Sequence, residues 1–458
     1  MKNTIRFWSG FLMLVTAGCA AAGARPDVLM ADFEGDRYGA WVATGTAFGP
    51  GPARGALPGQ MPVAGFAGHG LANSFFGGDS ATGTLTSPAF KVERRFLQFL
   101  IGGGGWEGKT CMNLLVNGQV VRTATGPNIE PGGSEQLHPG QWDVQELAGQ
   151  MAVLQLVDQA TGGWGHINVD QIVQTDNAPA DGQAVISWGA TRTLQIQSPW
   201  LNFPVKNGGP MRRVQVLVDG REERAFTIEL ADDAPDWWAG LDVTRYQGRT
   251  VTVKVNQLPG NSRALNAIEQ TAQVKGAATY QEANRPQFHF TALHGWLNDP
   301  NGLVFYQGEY HLFYQHNPYG WNWGNMHWGH SVSTDLVHWH ALPVALYPDA
   351  LGTMFSGSAV VDWKNTGGFQ QGPEPALVAM ITAAGQPFTQ EIAYSNDRGR
   401  TWTKYTGNPV VGHIAAENRD PKVVWYAPQN KWVMALYLDH NDYALFSSPD
   451  IKHWERLS

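Results

Sequence analysis

The sequence is poor in charge and in cysteine. Charged residues make up 15% of the 458-residue chain, against about 25% in typical soluble domains. The two cysteines are Cys19 and Cys111. Because Cys19 lies in an N-terminal segment with the features of an export signal, we expect no intramolecular disulfide in the mature chain. The net charge of −8 comes without a basic stripe, which argues against nucleic acid as a partner.

The sequence also lacks an apolar run long enough to predict a transmembrane helix. Phe7 to Ala17 is apolar, but it is too short to span a bilayer and follows Lys2 and Arg6, so the first 24 residues are predicted to be an export signal. Thr16-Ala17-Gly18-Cys19 resembles a bacterial lipobox, which would make Cys19 a lipidation site. Ala22-Gly23-Ala24 would instead suit ordinary signal peptidase. The expected location is the cell envelope, as a lipoprotein, or the periplasm or extracellular space.

Glycine, proline and tryptophan are abundant. The chain has 54 Gly, 27 Pro and 19 Trp, a composition that predicts many turns and few long helices. Its length suggests about three domains. The indole rings favour carbohydrate contact, although many of them are expected in cores. The predicted fold class is all-β.

Residues 27–176 read as short strands and glycine-rich turns. Met112 to Val116 and Gln119 to Arg122 flank Asn117-Gly118, a hairpin signal. The pattern predicts a jelly-roll-like β-sandwich. It is similar to accessory modules of carbohydrate-active enzymes, and it could bind sugar or act as a spacer. Candidate sugar contacts are Trp106, Trp164 and His166, with core or loop packing as the alternative.

One segment in this region matches the pattern of a phosphate-binding loop. Gly103-Gly104-Gly105-Trp106-Glu107-Gly108-Lys109-Thr110 has the required spacing, but such a loop needs a helix after it. A strand and an Asn-Gly turn are predicted there instead. We therefore reject a nucleotide-binding function.

A linker, Asn177 to Gly182, precedes a second predicted module at residues 183–275. Val214, Val216 and Val218 alternate with polar residues, and so do Val251, Val253 and Val255. Period-two alternation is typical of half-buried strands, so this module is predicted to be a small β-sandwich. It shows no catalytic constellation, and a second linker follows at residues 275–285.

A short motif occurs three times in the last region. It combines Ser, Asp and Trp, in Ser333 to Trp339, Ser395 to Trp402 and Ser448 to Trp454. Repeats about 50 residues long with several strands each are typical of propeller blades. Ser and Asp can cap the backbone of a turn, so Asp335, Asp397 and Asp450 are predicted to be structural.

The stretch Trp296-Leu297-Asn298-Asp299-Pro300-Asn301-Gly302 is the strongest catalytic candidate. Pro300 restricts Asp299 to an extended conformation, and Asn301-Gly302 predicts a hairpin turn. Asp299 is therefore expected at the rim of a strand pair, where a carboxylate suits covalent or acid/base chemistry. A plain polar turn is the alternative.

Further motifs follow in a fixed order. They are Tyr310-His311-Leu312-Phe313-Tyr314-Gln315, Trp323-Gly324-Asn325-Met326-His327-Trp328-Gly329-His330, Phe355-Ser356-Gly357-Ser358 and Arg419-Asp420-Pro421-Lys422. Together with the Asp299 stretch, this set resembles glycoside hydrolase family 32, the fructan- and sucrose-cleaving enzymes, and most closely the bacterial levanases. The resemblance implies that residues 286–458 are part of a five-bladed β-propeller catalytic domain.

The resemblance also implies roles for three carboxyl groups. Asp299 would be the nucleophile, and Asp420 would grip fructose hydroxyls and stabilise the transition state. The family's acid/base is a Glu in a Glu-Cys-Pro motif, but no Glu-Cys pair occurs in this sequence. Glu417 does not stand in that motif. We therefore expect the sequence to be a fragment that is inactive alone, with the acid encoded shortly after Ser458.

Substrate-holding residues are carried over by motif. They are Asn298, Gln315, Trp323, Phe355, Ser356 and Arg419. The family mechanism uses no metal and no cofactor, and His327, His330, His338 and His340 lie on predicted strands whose neighbours point to opposite faces, so we expect no metal site there.

The predicted function is hydrolysis of β-fructofuranosidic bonds in levan, inulin or sucrose-type substrates, with retention. Two other functions remain open. A fructosyltransferase would share every motif, and a non-catalytic carbohydrate-binding protein would fit a chain without the acid.

Overall fold

The computed structural model describes residues 25–177, 186–276, 280, 282–286 and 288–458. Strands account for most of the regular structure in these ranges, which confirms the all-β prediction. The helices described are one α-turn, Ala264–Ala267, and three short 3-10 segments, Gln145–Leu147, Thr244–Tyr246 and Ala427–Gln429. None of the helices described here is long and apolar enough to cross a membrane. The predicted export signal, Cys19 and most of the first linker lie outside the described residues.

The first group of strands forms a sandwich with an apolar core between its two layers. One layer contains Val28–Ala31, Ala72–Asn73, Phe96–Gly103, His138–Asp143 and Ile167–Thr175. The other contains Val42–Gly45, Gly83–Thr86, Phe90–Lys91, Thr110–Val116, Gln119–Ala124 and Met151–Asp158. A separate pair joins Val63–Ala64 to Glu135–Gln136.

Two sequence interpretations in this sandwich match its strands. Asn117 and Gly118 both have positive φ, 52° and 75°, as the predicted hairpin turn requires. The segment that matched a phosphate-binding loop connects the strands Phe96–Gly103 and Thr110–Val116. A strand therefore follows it, and no helix N-terminus is present there to meet a phosphate.

The second group of strands forms the predicted small sandwich. One layer contains Ile186–Gln195, Met211–Val218, Arg221–Glu229 and Thr250–Pro259, and the other contains Trp200–Val205, Trp237–Asp242 and Glu269–Thr271. The alternating valines at positions 214, 216, 218, 251, 253 and 255 are all buried in its core. Period-two alternation thus placed these side chains correctly.

The two sandwiches share one sheet, which the sequence did not predict. Gly140 of the first sandwich pairs in parallel with Ile186 of the second, and this bridge joins the strands into a nine-stranded sheet. A Cβ atom at Gly140 would lie 2.3 Å from Trp188 and 2.4 Å from Phe99. The glycine therefore makes room for Trp188, whose indole N–H donates to the Thr125 carbonyl at 3.0 Å.

The third group consists of three four-stranded antiparallel sheets, which are the propeller blades predicted from the repeat. The first propeller sheet contains Trp296–Tyr306, Glu309–Asn317, His327–Ser333 and Trp339–Leu346. The second contains Thr353–Val361, Leu377–Ala384, Thr389–Ser395 and Thr403–Lys404. The third contains Arg419–Tyr426, Lys431–Asp439, Asp442–Ser448 and Glu455–Arg456. The leading strand of the second sheet contacts the leading strands of the other two.

The repeated motif forms the same turn in every sheet. In each copy the serine hydroxyl accepts the backbone N–H of the Asp two residues later. In each copy the indole N–H donates to a carbonyl three residues earlier, at 3.2 Å for Trp339, 3.0 Å for Trp402 and 2.8 Å for Trp454. In each copy the Asp carboxylate also accepts backbone N–H groups of the same turn, which confirms the structural role predicted for the three Asp residues.

The hairpin turn predicted at Asn301-Gly302 is wrong. Both residues lie inside the strand Trp296–Tyr306, where the pairing register shifts on either side of them. The turn is at Gln307 and Gly308, with φ of 48° and 82°. Gly302 serves a different purpose, because a Cβ atom there would lie within 2.9 Å of the Phe313 and Trp328 rings. The dipeptide thus forms a bulge that lets these aromatic side chains pack.

A loop of the first propeller sheet is anchored on the second sandwich. Tyr319 is buried and stacks on Phe226 with ring centroids 3.8 Å apart. The indole N–H of Trp321 donates to Glu229 at 2.6 Å. Asn325 exchanges two hydrogen bonds with the Thr227 backbone, both 2.8 Å long. The loop between Asn317 and His327 is therefore held from outside the propeller.

Candidate active site

Asp299 lies on the leading strand of the first propeller sheet, with its side chain exposed. The Ser356 hydroxyl, on the leading strand of the second sheet, donates to Asp299 Oδ2 at 2.9 Å. Asn298 Oδ1 accepts the indole N–H of Trp296 at 2.9 Å. The structure thus brings Asn298, Asp299 and Ser356 together, with the carboxylate oriented by a neighbouring sheet.

Asp420 lies on the leading strand of the third sheet in a left-handed conformation, with φ of 62°. Its backbone N–H donates to the Thr382 hydroxyl at 3.0 Å. Strained backbone of this kind persists where the surroundings fix it, and it is concentrated at functional sites. The Arg419 guanidinium lies beside Asp420, with Nε 3.7 Å from Oδ2. Arg419 also contacts the exposed Glu417 carboxylate at 3.4 Å.

The two aspartates act on each other electrostatically. Burial raises the pKa of Asp420, the Arg419 cation opposes this shift, and the Asp299 carboxylate adds to it. Repulsion between like charges is felt over short distances. The Asp299 carboxylate is therefore near enough to influence Asp420, although seven strands lie between their two strands in the chain.

The strand Thr353–Val361 ties the two halves of this site together. Ser356 bonds to Asp299 in the first sheet. The Ser358 hydroxyl donates to the Pro421 carbonyl at 2.8 Å and accepts the Val423 N–H at 3.0 Å in the third sheet. The motif Phe355-Ser356-Gly357-Ser358 thus connects both aspartate-bearing strands.

The remaining predicted residues divide into two groups. Trp323 is 60% exposed and lies edge-on to Phe355, with centroids 6.0 Å apart, so these two rings can form a wall beside Ser356. Gln315 is buried, and its amide N–H donates to the Met354 carbonyl at 2.8 Å. In this structure Gln315 therefore supports the strand that carries Ser356.

A buried polar chain that supports the Asp420 backbone was not predicted from the sequence. The Thr382 hydroxyl donates to Gln390 Oε1 at 2.7 Å, and the Gln390 amide donates to the Asn418 carbonyl at 3.0 Å. All three side chains are fully buried. The sequence contained one signal for this chain, which is that Thr382 is the single polar residue in the apolar run Leu377–Ala384. A hydroxyl buried in such a strand needs a hydrogen-bond partner.

The histidines of this region pair with other groups. His330 lies 3.1 Å from His311, and His338 lies 2.7 Å from the Asp335 carboxylate. Within the described residues, no group of three or more His, Cys, Asp or Glu side chains is arranged to hold a metal ion. Cys111 is free and buried, and burial raises the pKa of its thiol to about 11.

The candidate sugar contacts of the first sandwich are mostly buried. His166 bonds to Asp79 at 2.6 Å and to Glu135 at 2.9 Å. Trp164 is 7% exposed, and its N–H donates to the Glu130 carbonyl at 3.0 Å. The Trp106 N–H donates to the Gly163 carbonyl at 3.3 Å. Core and loop packing, the alternative interpretation, describes these three residues better.

Comparison with known proteins assigns the propeller region. Residues 289–458 match the model of the glycosyl hydrolases family 32 N-terminal domain. The chain is 55% identical over 190 residues to a levanase of Bacillus subtilis, covering 41% of this chain and 28% of the levanase. It is 44% identical over 190 residues to an invertase of Schizosaccharomyces pombe, covering 39% of this chain and 33% of the invertase.

A third relative is an extracellular exo-inulinase of Aspergillus ficuum, 40% identical over 227 residues, covering 43% of this chain and 42% of the inulinase. The propeller region is therefore similar to the family 32 N-terminal domain, and the resemblance inferred from the motifs is confirmed. The chain spans 28% to 42% of the length of these three relatives.

Proposed function

We propose that the protein hydrolyses β-fructofuranosidic bonds of fructans, of the levan, inulin or sucrose type, with retention of configuration. The observation that carries this proposal is that the strand Thr353–Val361 bonds on one side to Asp299 and on the other to the backbone next to Asp420. The names of the relatives, a levanase, an invertase and an exo-inulinase, support the same substrate class.

In the proposed mechanism Asp299 attacks the anomeric carbon of the fructosyl unit. The carbon–oxygen bond to the leaving group breaks, and that oxygen takes a proton from a carboxylic acid. Water then attacks the fructosyl–Asp299 ester, gives up its proton to the same acid, and releases fructose and the free carboxylate. Ser356 orients the attacking carboxylate through its 2.9 Å hydrogen bond.

The other groups stabilise the transition state and hold the sugar. Asp420 accepts hydrogen bonds from fructose hydroxyls and offers negative charge to the oxocarbenium-like transition state. Arg419 orients Asp420, while the Asn298 amide can both donate to and accept from hydroxyl groups. Trp323 and Phe355 shape the pocket. The family's proton donor is the Glu of a Glu-Cys-Pro motif, and the 458 residues contain no Glu-Cys pair.

The experiment is turnover of levan, inulin and sucrose by the natural gene product and its Asp299→Asn variant. We expect fructose release from the wild type, β-fructose as the first product seen by NMR, and no turnover by the variant. Fructan binding without turnover by the wild type would favour the non-catalytic alternative. Longer oligosaccharides formed in concentrated sucrose would favour a fructosyltransferase. Inverted product would exclude the covalent intermediate.

We infer that the protein is exported, and that Cys19 carries the lipid if the lipobox is used. The charged and apolar pattern of residues 1–24 and the extracellular relative support export. Mass spectrometry of the mature N-terminus tests this inference. A lipidated N-terminal Cys19 would support the anchor, whereas a chain beginning at Arg25 would show ordinary cleavage.

We also propose that the first sandwich is a spacer and that the propeller has the family's five blades. The burial of Trp164 and His166 supports the spacer role, because it leaves these side chains unable to stack on a sugar. Levan binding by the natural gene product and its Trp106→Ala variant tests that role. A substantial loss of binding in the variant would overturn it.

A further inference from the structure

A groove lies where the second sandwich meets the first propeller sheet, with a volume of about 520 Å³. Four of its lining residues are tryptophans: Trp237, Trp238, Trp296 and Trp321. The first two come from the sandwich and the other two from the propeller. The first three are half-buried, and Trp321 is 49% exposed. Each of the four therefore keeps part of its surface open to solvent.

Three of the indole rings are held in place by contacts at an N–H group or at a ring face. The N–H of Trp237 donates to Asn207 at 2.8 Å, and the N–H of Trp321 donates to Glu229 at 2.6 Å. The ammonium group of Lys275 lies 3.9 Å from the centroid of the Trp238 ring. Because such rings are already ordered, a ligand that stacks on them loses little free energy in immobilising side chains.

Charges around the groove are paired with one another. Lys275 contacts Glu269 at 2.8 Å, and Asp236 contacts Lys206 at 2.6 Å. Arg285 contacts Glu282 at 2.5 Å. The groove therefore offers aromatic faces with neutralised charges, a surface that suits an uncharged ligand with apolar faces and hydroxyl groups. A chain of sugar units has that chemistry.

The groove begins close to the catalytic candidates. Trp296 lines it and also donates to Asn298, the neighbour of Asp299. Three residues of strand span about 10 Å, so the groove is within reach of a sugar chain that occupies the active site. Trp321 lies on the same anchored loop as Trp323, whose ring lies beside that of Phe355. One extended ligand can therefore contact both places.

We propose that this junction groove binds fructan units distant from the cleaved bond, so that the second sandwich forms part of the substrate-binding surface. The proposal rests on the proposed function, since it assumes that the substrate is a fructan. It adds Trp237 and Trp238, which lie outside the family 32 region, as residues that favour long chains over sucrose.

The test compares Trp238→Ala with wild type on sucrose and on levan-type oligosaccharides of increasing length. We expect the KM for the longer oligosaccharides to rise about tenfold, as for the loss of one aromatic contact. The kcat and the sucrose KM should not change. Trp238→Phe keeps a flat ring and should restore most of the affinity. Trp363→Ala, at a 67% exposed tryptophan in the loop after the strand Thr353–Val361, is the matched control.

Equal losses on sucrose and on long oligosaccharides would overturn the proposal, because Trp238 would then be a structural residue. Unchanged kinetics on all substrates would also overturn it. Calorimetry on the Asp299→Asn variant, with and without Trp238→Ala, measures binding without turnover. Binding of long chains through Trp238 by a wild-type protein that cleaves none would contradict the proposed hydrolysis and leave the groove in place.

Discussion

Phe226 of the second sandwich lies face to face with Tyr319 of the propeller, with ring centroids 3.8 Å apart and planes inclined by 14°. Both side chains are buried in the sandwich core. The propeller loop that carries Trp321 and Trp323 thus begins inside another domain. Hydrophobic burial on one side of the interface therefore helps to fix a pocket wall on the other.

Replacing Phe226 by Ala should destabilise the protein by about 3–5 kcal/mol, the usual loss for a buried Phe. It should also raise the KM for sucrose, because the Trp323 loop loses its anchor. Urea unfolding and initial rates measure the two effects. Phe305→Ala, at a 55% exposed position, is the control and should change stability by no more than about 0.5 kcal/mol. A stable Phe226→Ala variant with normal KM would contradict the anchoring role.

Replacing Ser356 by Ala should lower kcat about 10- to 100-fold, because a hydrogen bond to a charged group contributes about 1.5–3 kcal/mol. Asp299 would keep its position on the strand but lose the donor that orients it. The free energy of unfolding should change little, since Asp299 is exposed. Steady-state kinetics test this, with Ser447→Ala in the third sheet as the control. An unchanged kcat would show that the hydroxyl does not orient the nucleophile.

Two threonines of the second sheet form a matched pair for testing the support of Asp420. Thr382→Val removes both hydrogen bonds of the buried hydroxyl and should lower activity and stability together, by about 1–3 kcal/mol in unfolding free energy. Thr389 is also buried, but its hydroxyl has no hydrogen-bond partner among the described residues. Thr389→Val should therefore leave activity unchanged. Equal effects of the two substitutions would argue against a specific role of Thr382.

The buried Asp158 should make stability fall with rising pH. Burial raises its pKa to about 7, against the effects of the Ser74 hydroxyl and the His166 charge, with the Asp79 carboxylate adding to the rise. Between the unfolded value of 3.8 and about 7 the folded protein holds a proton that the unfolded chain has released. Each pH unit in that interval therefore costs about 1.4 kcal/mol of stability.

Asp158→Asn should reduce this dependence and make the variant about 1–4 kcal/mol more stable than wild type at pH 8. The stability of the variant should still fall somewhat with rising pH. Burial lowers the pKa of His166, but Glu135 and Asp79 outweigh it and raise the value overall, so its contribution is also lost as pH rises. Urea unfolding at pH 5 and pH 8 measures the change. Asp233→Asn, at an exposed position, should leave the slope as it is, and an unchanged slope in Asp158→Asn would contradict the assignment.

Much of this structure could be predicted from local sequence patterns, because these features depend on residues that are close together in the chain. The alternating valines, the Asn117-Gly118 turn and the Ser-Asp-Trp repeat all depend on contacts within a few positions of the chain. The site motifs around Asp299, Ser356 and Asp420 were found for a different reason. Their residues and their order along the chain resemble those of glycoside hydrolase family 32.

Contacts between distant segments were not predictable in the same way. Asn301-Gly302 has the composition of a turn, but packing against Phe313 and Trp328 makes it a bulge. The space for Trp188 above Gly140 depends on two modules meeting, which no local pattern encodes. The same holds for Thr382, whose partner in the site is a backbone N–H of another sheet.

The two serines of the strand Thr353–Val361 have a consequence for how the catalytic distance is set. The Ser356 hydroxyl bonds to the Asp299 carboxylate of the first propeller sheet. The Ser358 hydroxyl, two residues later, bonds to the backbone that follows Asp420 in the third sheet. This strand therefore helps to set the distance between the two aspartate-bearing strands. A protein engineer who wishes to widen or narrow the gap would therefore alter this one strand and leave both acids untouched.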